Sequence, residues 1–176
     1  MKILALDLGT KTGWCYSDGE TIESGTQDFT PERGDSPGMR FLKFNRWLKG
    51  MSYDDVRGVR GSNQTVDLDL IIYERPHQRG GAPTEIAYGF STRVQEYAAR
   101  HGIECEAVHS GTLKKHATGS GKANKIEMLV AAMDNYPAQF TNKEYEAVEL
   151  AATKDTDPVM DKADAIWLLD YALTVV

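Results

Sequence analysis

Two apolar runs that each end in an acid constrain this chain more than any other feature. Residues 2–7 read KILALD and residues 68–74 read LDLIIYE. Runs of Ile, Leu and Ala leave no polar face, so both are expected as strands covered on two sides, as inside an α/β sheet. Asp7 and Glu74 then stand where a buried strand emerges. A carboxylate is costly to desolvate there unless it is paired or metal-bound. Two further acids, Asp161 and Asp164, lie i, i+3 in the last amphipathic segment and would share one helix face. Converging acids repel one another, and a hard divalent cation relieves that repulsion. Such metals stabilise attacking and leaving oxygens in phosphodiester cleavage.

Each acid has a plainer reading. Asp7 could simply end a strand. An apolar strand ending in Asp-x-Gly also opens the phosphate-binding turn of actin- and sugar-kinase-type ATPases, and Gly9 would allow close backbone approach in either case. Glu74 could pair with Arg75 or Arg79. Asp161 could serve the dipole of a helix N-terminus, which suits Asp157 better and Asp164 least. The ATPase reading would need a second, similar domain to enclose nucleotide. The joint pattern favours metal binding.

The rest of the chain supplies a scaffold. A strand at 2–8, a turn from Gly9 to Gly13, a strand around 14–17, a hairpin at Asp18-Gly19 and a strand at 21–29 describe an antiparallel meander. Met39 to Leu48 has helical spacing, and Phe41, Phe44 and Trp47 are expected in its core face. Residues 49–66 read as an exposed loop. After the strand at 68–73, a Gly-rich loop spans 77–83, and Thr84 is expected to cap a helix to about Arg100. Tyr88 and Phe90 are expected to pack in the core rather than to stack on bases. A fifth strand is expected at 103–108, a basic linker at 114–121, and helices at 122–133 and 143–152. Asp157-Pro158 starts the last helix. This order predicts one α/β domain over 1–176, with a mixed five-stranded sheet flanked by helices.

The charge is uneven. The net charge is −6, yet no acid occurs from His109 to Lys125, where Lys114, Lys115, Lys122 and Lys125 fall. A local basic strip of this kind suits phosphate contacts. Residues 118–121, TGSG, are expected to precede a helix whose amides could hold a phosphate. The run GSGK lacks the Ser or Thr that a Walker A loop needs, since Ala123 follows. His77, His109 and His116 have no Ser/His/Asp arrangement to join. Cys15 and Cys105 read as reduced core residues. With no signal peptide and no apolar stretch of transmembrane length, a soluble cytoplasmic protein is expected.

In this order and spacing the residues resemble the RuvC-type Holliday-junction resolvases of the RNase H-like superfamily. The resemblance runs nearly end to end. Its most specific stretches are residues 114–125, similar to the family's Lys-x(4)-Gly-x-Gly-x-Ala-x-Lys segment, and residues 161–165, similar to Asp-x-x-Asp-Ala. It implies that Asp7, Glu74, Asp161 and Asp164 bind two Mg²⁺ ions, with Mn²⁺ able to substitute. It implies a homodimer that nicks branched DNA in pairs and leaves 5′-phosphate ends. Lys125 would assist at the transition-state phosphate. Lys114, Lys115, Lys122, Lys125, Arg75 and Arg79 would contact DNA. Residues 7–13 also look like the YqgF-type nucleases, which act on RNA, but those lack the Tyr-Glu-Arg-Pro context of Glu74. In RuvC-type proteins the loop after Glu74 carries an aromatic wedge; here His77 is its only ring, so a broader branched-DNA specificity is expected.

Overall fold

The computed structural model describes residues 1–50, 68–77, 80–150, 154 and 157–175. Its strands are β1 (Ile3–Asp7), β2 (Lys11–Ser17), β3 (Ile22–Asp28), β4 (Leu70–Glu74) and β5 (Glu104–Val108). They form one five-stranded sheet in the order β3-β2-β1-β4-β5. β1 pairs antiparallel with β2 and parallel with β4; β2–β3 is antiparallel and β4–β5 parallel. The helices are α1 (Met39–Gly50), α2 (Gly81–His101), α3 (Ser110–Thr118), α4 (Lys125–Asn135), α5 (Asn142–Glu149) and α6 (Pro158–Val175), with a 3₁₀ turn at Pro137–Gln139. This is the mixed α/β sheet expected from the sequence. Among the described residues no helix is long and apolar enough to cross a membrane.

Strand alternation divides the core. Successive side chains point to opposite faces, so Ile3 and Ala5 of β1 and Leu70 and Ile72 of β4 join Met160, Ile166 and Leu168 of α6 in one core. Leu4, Leu6, Ile71 and Tyr73 join Phe44 of α1 and Phe90 of α2 in the other. That second core is aromatic: Phe44 and Phe90 meet edge-on with centroids 5.0 Å apart, and Phe29 meets Phe44 at 5.3 Å. The same period puts Asp7 and Glu74, the next odd and even positions, on the α6 face.

Several local expectations are corrected. Residues 114–121 are not a linker, because most of them belong to α3. Buried Leu113 and partly buried Ala117 give that segment an apolar side, and its lysines are good helix formers. Gly119 ends it at φ 78°, with its amide donating to Lys115 O at 2.9 Å. The next helix starts at Lys125 rather than Lys122, because Asn124 and Glu127 close a capping box. Thr84 is no cap: α2 begins at Gly81 with Gly80 at the N-cap position, and Pro83 fits within the first turn. Cys15 is buried but Cys105 is exposed, because β5 is an edge strand. Phe41 and Trp47 pack against the aromatic core, Phe90 lies inside it, and Tyr88 is exposed. The segment expected as a loop at 49–66 falls, beyond Gly50, outside the described residues.

One glycine sets the distance between sheet and helix. Gly13 of β2 is the register partner of Asp7. A Cβ at Gly13 would lie 1.8 Å from Asp161 O and 2.9 Å from Lys162 N. Only a residue with no side chain lets the α6 backbone lie so directly on a strand. Gly13→Ala is expected to push α6 off the sheet, at a cost of about 3 kcal/mol. Thermal unfolding should show a Tm lower by about 2–4 °C for each kcal/mol lost. An unchanged Tm would mean that α6 does not rest on Gly13.

Candidate active site

Asp7 ends β1, and Leu6 pairs with Tyr73 of the neighbouring parallel strand β4, so Asp7 and Glu74 leave the sheet side by side. The turn after Asp7 is fixed by Thr12, fully buried, whose hydroxyl donates to Gly9 O at 2.7 Å. Arg40 Nη1 donates to Thr10 Oγ1 at 3.1 Å and ties the same turn to α1. Across the sheet face, α6 brings Asp161 onto Gly13, opposite Asp7. Asp164, one turn later, falls on the same helix face. The structure therefore gathers all the acids singled out in the sequence.

Their electrostatics are those of a crowded site. Burial pushes the Asp7 carboxyl well above the usual range, and Asp164, Glu74 and Asp161 push it further, against Lys125. Asp164 is pushed up to about 7, by burial first and then by Glu74 and Asp161, while Lys125 and Lys114 oppose the rise. Burial also raises Asp161, against Lys125 and Lys11. Lys125 Nζ lies 3.6 Å from Asp161 Oδ1. Burial works to lower the Lys125 pKa, but Asp7, Asp161 and Asp164 outweigh it and hold the ammonium above its ordinary value. Each of these three aspartates is thus charged at a cost, and Lys125 is held as a cation among them.

The donor set fits a hard divalent cation: carboxylate oxygens only, partly buried, mutually repulsive and incompletely neutralised. Among the described residues, however, no group of three or more His, Cys, Asp or Glu side chains stands in an arrangement that would hold a metal ion. Two of the acids are turned to other partners. Asp161 faces Lys125, and Glu74 Oε1 lies 3.5 Å from His77 Nε2. Repulsion favours such splayed side chains until a cation offsets it.

Lys114 is partly buried on α3, near enough to influence Asp164, while Lys115 and Lys122 are exposed. Arg75 is exposed and turns to His109, with Nη1 3.0 Å from its Nε2, rather than to Glu74. Arg79 lies outside the described residues. Residues 118–121 join α3 to α4, and the Glu127 amide of α4 is taken by the Asn124 side chain at 2.9 Å, so this helix start is capped by the chain itself. Lys162, between the two acids of α6, faces away: its ammonium donates to Glu144 Oε1 at 2.6 Å and Gln139 O at 3.0 Å. Sequence reasoning missed Gly13 and Thr12. A glycine inside a strand pattern was the available signal for the first; the second had none.

No family model matches the chain, and no curated protein matches it. Solved structures do. The chain is similar to Thermus thermophilus RuvC in complex with a Holliday junction substrate, at TM-score 0.64 and 14% identity over 98% of this chain and 94% of that one. It is similar to the yeast mitochondrial Holliday junction resolvase, at TM-score 0.57 and 14% identity over 94% of this chain and 75% of that one. The fowlpox virus Holliday junction resolvase matches at TM-score 0.50 and 11% identity, with both chains covered at 100%. The chain has the RuvC-type resolvase fold. In this resolvase fold the acids of β1, β4 and α6 meet at the C-terminal ends of two parallel strands, a usual place for a site in α/β sheets.

The raised acids make a stability prediction. An Asp164 that titrates near 7 in the fold and near 3.9 when unfolded binds more protons folded than unfolded between those values. Its contribution to stability is therefore present below about pH 4 and lost as pH rises through 7. In EDTA, Asp164→Asn is expected to raise Tm most at pH 8 and by progressively less as pH falls toward 4. A variant less stable than wild type at pH 8 would show that Asp164 is not held against its charge.

Proposed function

We propose that this protein is a divalent-metal-dependent endonuclease that cuts four-way (Holliday) junctions and related branched DNA. The observation that carries the reading is the clustering of Asp7, Asp161 and Asp164 about Lys125, with Glu74 near enough to act on Asp7 and Asp164, on a fold shared with a RuvC in complex with a Holliday junction substrate. Asp7, Glu74, Asp161 and Asp164 would hold Mg²⁺, two ions per site, with Mn²⁺ able to substitute. Bound there, the ions supply Lewis acidity and a lowered pKa for water, the chemistry of phosphodiester hydrolysis. The chain's own residues do the rest. Lys125, kept protonated by the acids around it, offsets negative charge on the scissile phosphate. Lys114, Lys115 and Lys122 bind the DNA backbone, as do Arg75 and Arg79. Two copies of the chain, matched to the two-fold symmetry of a junction, would nick paired strands and leave 5′-phosphate and 3′-hydroxyl ends.

The loop after Glu74 has His77 as its only ring, and that ring is drawn toward Glu74. Selectivity for junctions over forks is therefore expected to be modest. The deciding assay incubates labelled four-way junction, Y-fork and duplex with the protein in Mg²⁺ or EDTA. Branched DNA should be nicked only with Mg²⁺, and duplex should be spared. Asp7→Asn and Glu74→Gln are expected to bind junctions as well as wild type and to cut them at least about 1000-fold more slowly. Normal cutting by Asp7→Asn, or cutting in EDTA, would defeat the assignment.

A further inference from the structure

One acid outside the candidate site links three helices that carry its residues. Asp170 lies on α6, and its side chain is 24% exposed. Its Oδ2 is 2.6 Å from Nε2 of His116 on α3. Its Oδ1 accepts from the hydroxyl of Tyr136, the residue that closes α4. The three helices it joins carry Lys114 (α3), Lys125 (α4) and the pair Asp161 and Asp164 (α6). The polar cross-link surrounds an aromatic one. The rings of His116 and Tyr136 both stand edge-on to Trp167, at 6.3 and 6.2 Å. The Trp167 indole donates to Met128 O of α4 at 3.0 Å.

We propose that Asp170 is a positioning residue of the site: its carboxylate ties His116 and Tyr136, and so fixes α3 and α4, with Lys114 and Lys125, relative to the acids of α6. This rests on the nuclease reading above. Among the described residues, Lys125 has one ion pair, to Asp161 at 3.6 Å, and Lys114 has none and acts on Asp164 through its charge. Their placement therefore depends on where their helices sit. A carboxylate has lone pairs for both donors at once, one on each oxygen. An asparagine could still accept from Tyr136 on its carbonyl, but its NH₂ would meet a charged His116 donor to donor and could hold a neutral one only through the other tautomer, which weakens that arm. A part-buried network of this kind is worth more intact than the sum of its separate bonds.

The test is single-turnover cleavage of a four-way junction by Asp170→Asn, His116→Asn and Tyr136→Phe, each kept well below its own Tm, beside wild type. The last two remove one arm each and guard against a folding failure of the first. Asp170→Asn should cut about tenfold more slowly at saturating enzyme. Combined with Lys125→Ala it should lose less than the product of the two single losses, because both changes disable the same group. Gel shifts in EDTA, which need neither metal nor turnover, should show weaker junction binding by Asp170→Asn and little further loss when Lys114→Ala is added. If all three variants cut and bind like wild type while only their Tm falls, or if the losses simply multiply, Asp170 is structural and the proposal is overturned. A wild type that neither binds nor cuts branched DNA overturns the nuclease reading and this proposal with it.

Discussion

The contact of a helix backbone with a bare strand position underlies everything else at this site. Asp161 O rests where a side chain of Gly13 would be. Because Gly13 is paired with Asp7, that contact places the first turn of α6 beside the end of β1. The price is electrostatic: acids from separate elements are brought together partly out of water, and Asp7 and Asp164 are driven toward their protonated forms. Packing on the α6 face supplies the free energy that holds them there. Met160, Ala163, Ile166 and Leu168, all at most 1% exposed, anchor the helix on the sheet at roughly 25 cal/mol for each Å² of apolar surface buried.

The charge distribution follows the same logic. The chain as a whole is acidic, and its cations are placed by position rather than by number. Lys125 stands at the first position of α4 and faces three acids. Lys162 lies between two acids in sequence yet pairs with Glu144, because its helix position points it at the 3₁₀ turn and α5. A charge count would have treated these two lysines alike.

Much of this was legible in the sequence, for reasons particular to each element. β1 and β4 announce themselves because continuous apolar runs have few other uses in a small α/β chain, and an acid at the end of each marks the exit from the sheet. The i, i+3 spacing of Asp161 and Asp164 is a helix statement in itself. α3 was not legible as a helix: only Leu113 and Ala117 are apolar, and glycines and lysines around them imitate a linker. What decides it is docking onto α6. The Asn124–Glu127 capping box was readable and would have moved the start of α4 by three residues. Asp170 was invisible as a functional position, and Gly13 offered only the signal of a glycine within a strand. Their partners lie far along the chain, and nothing local to Asp170 names His116 or Tyr136. Cys105 was misplaced because strand propensity does not say which strand is the edge.

The alternation of side chains along β1 and β4 has a consequence for engineering. Everything chemical emerges on the α6 face, while the opposite face is closed by interlocking rings of Phe29, Phe44 and Phe90. The sheet is a partition between two compartments that share a backbone but almost no side chains. A designer could rebuild the aromatic compartment wholesale, for heat resistance or easier expression, and leave the carboxylates where they stand.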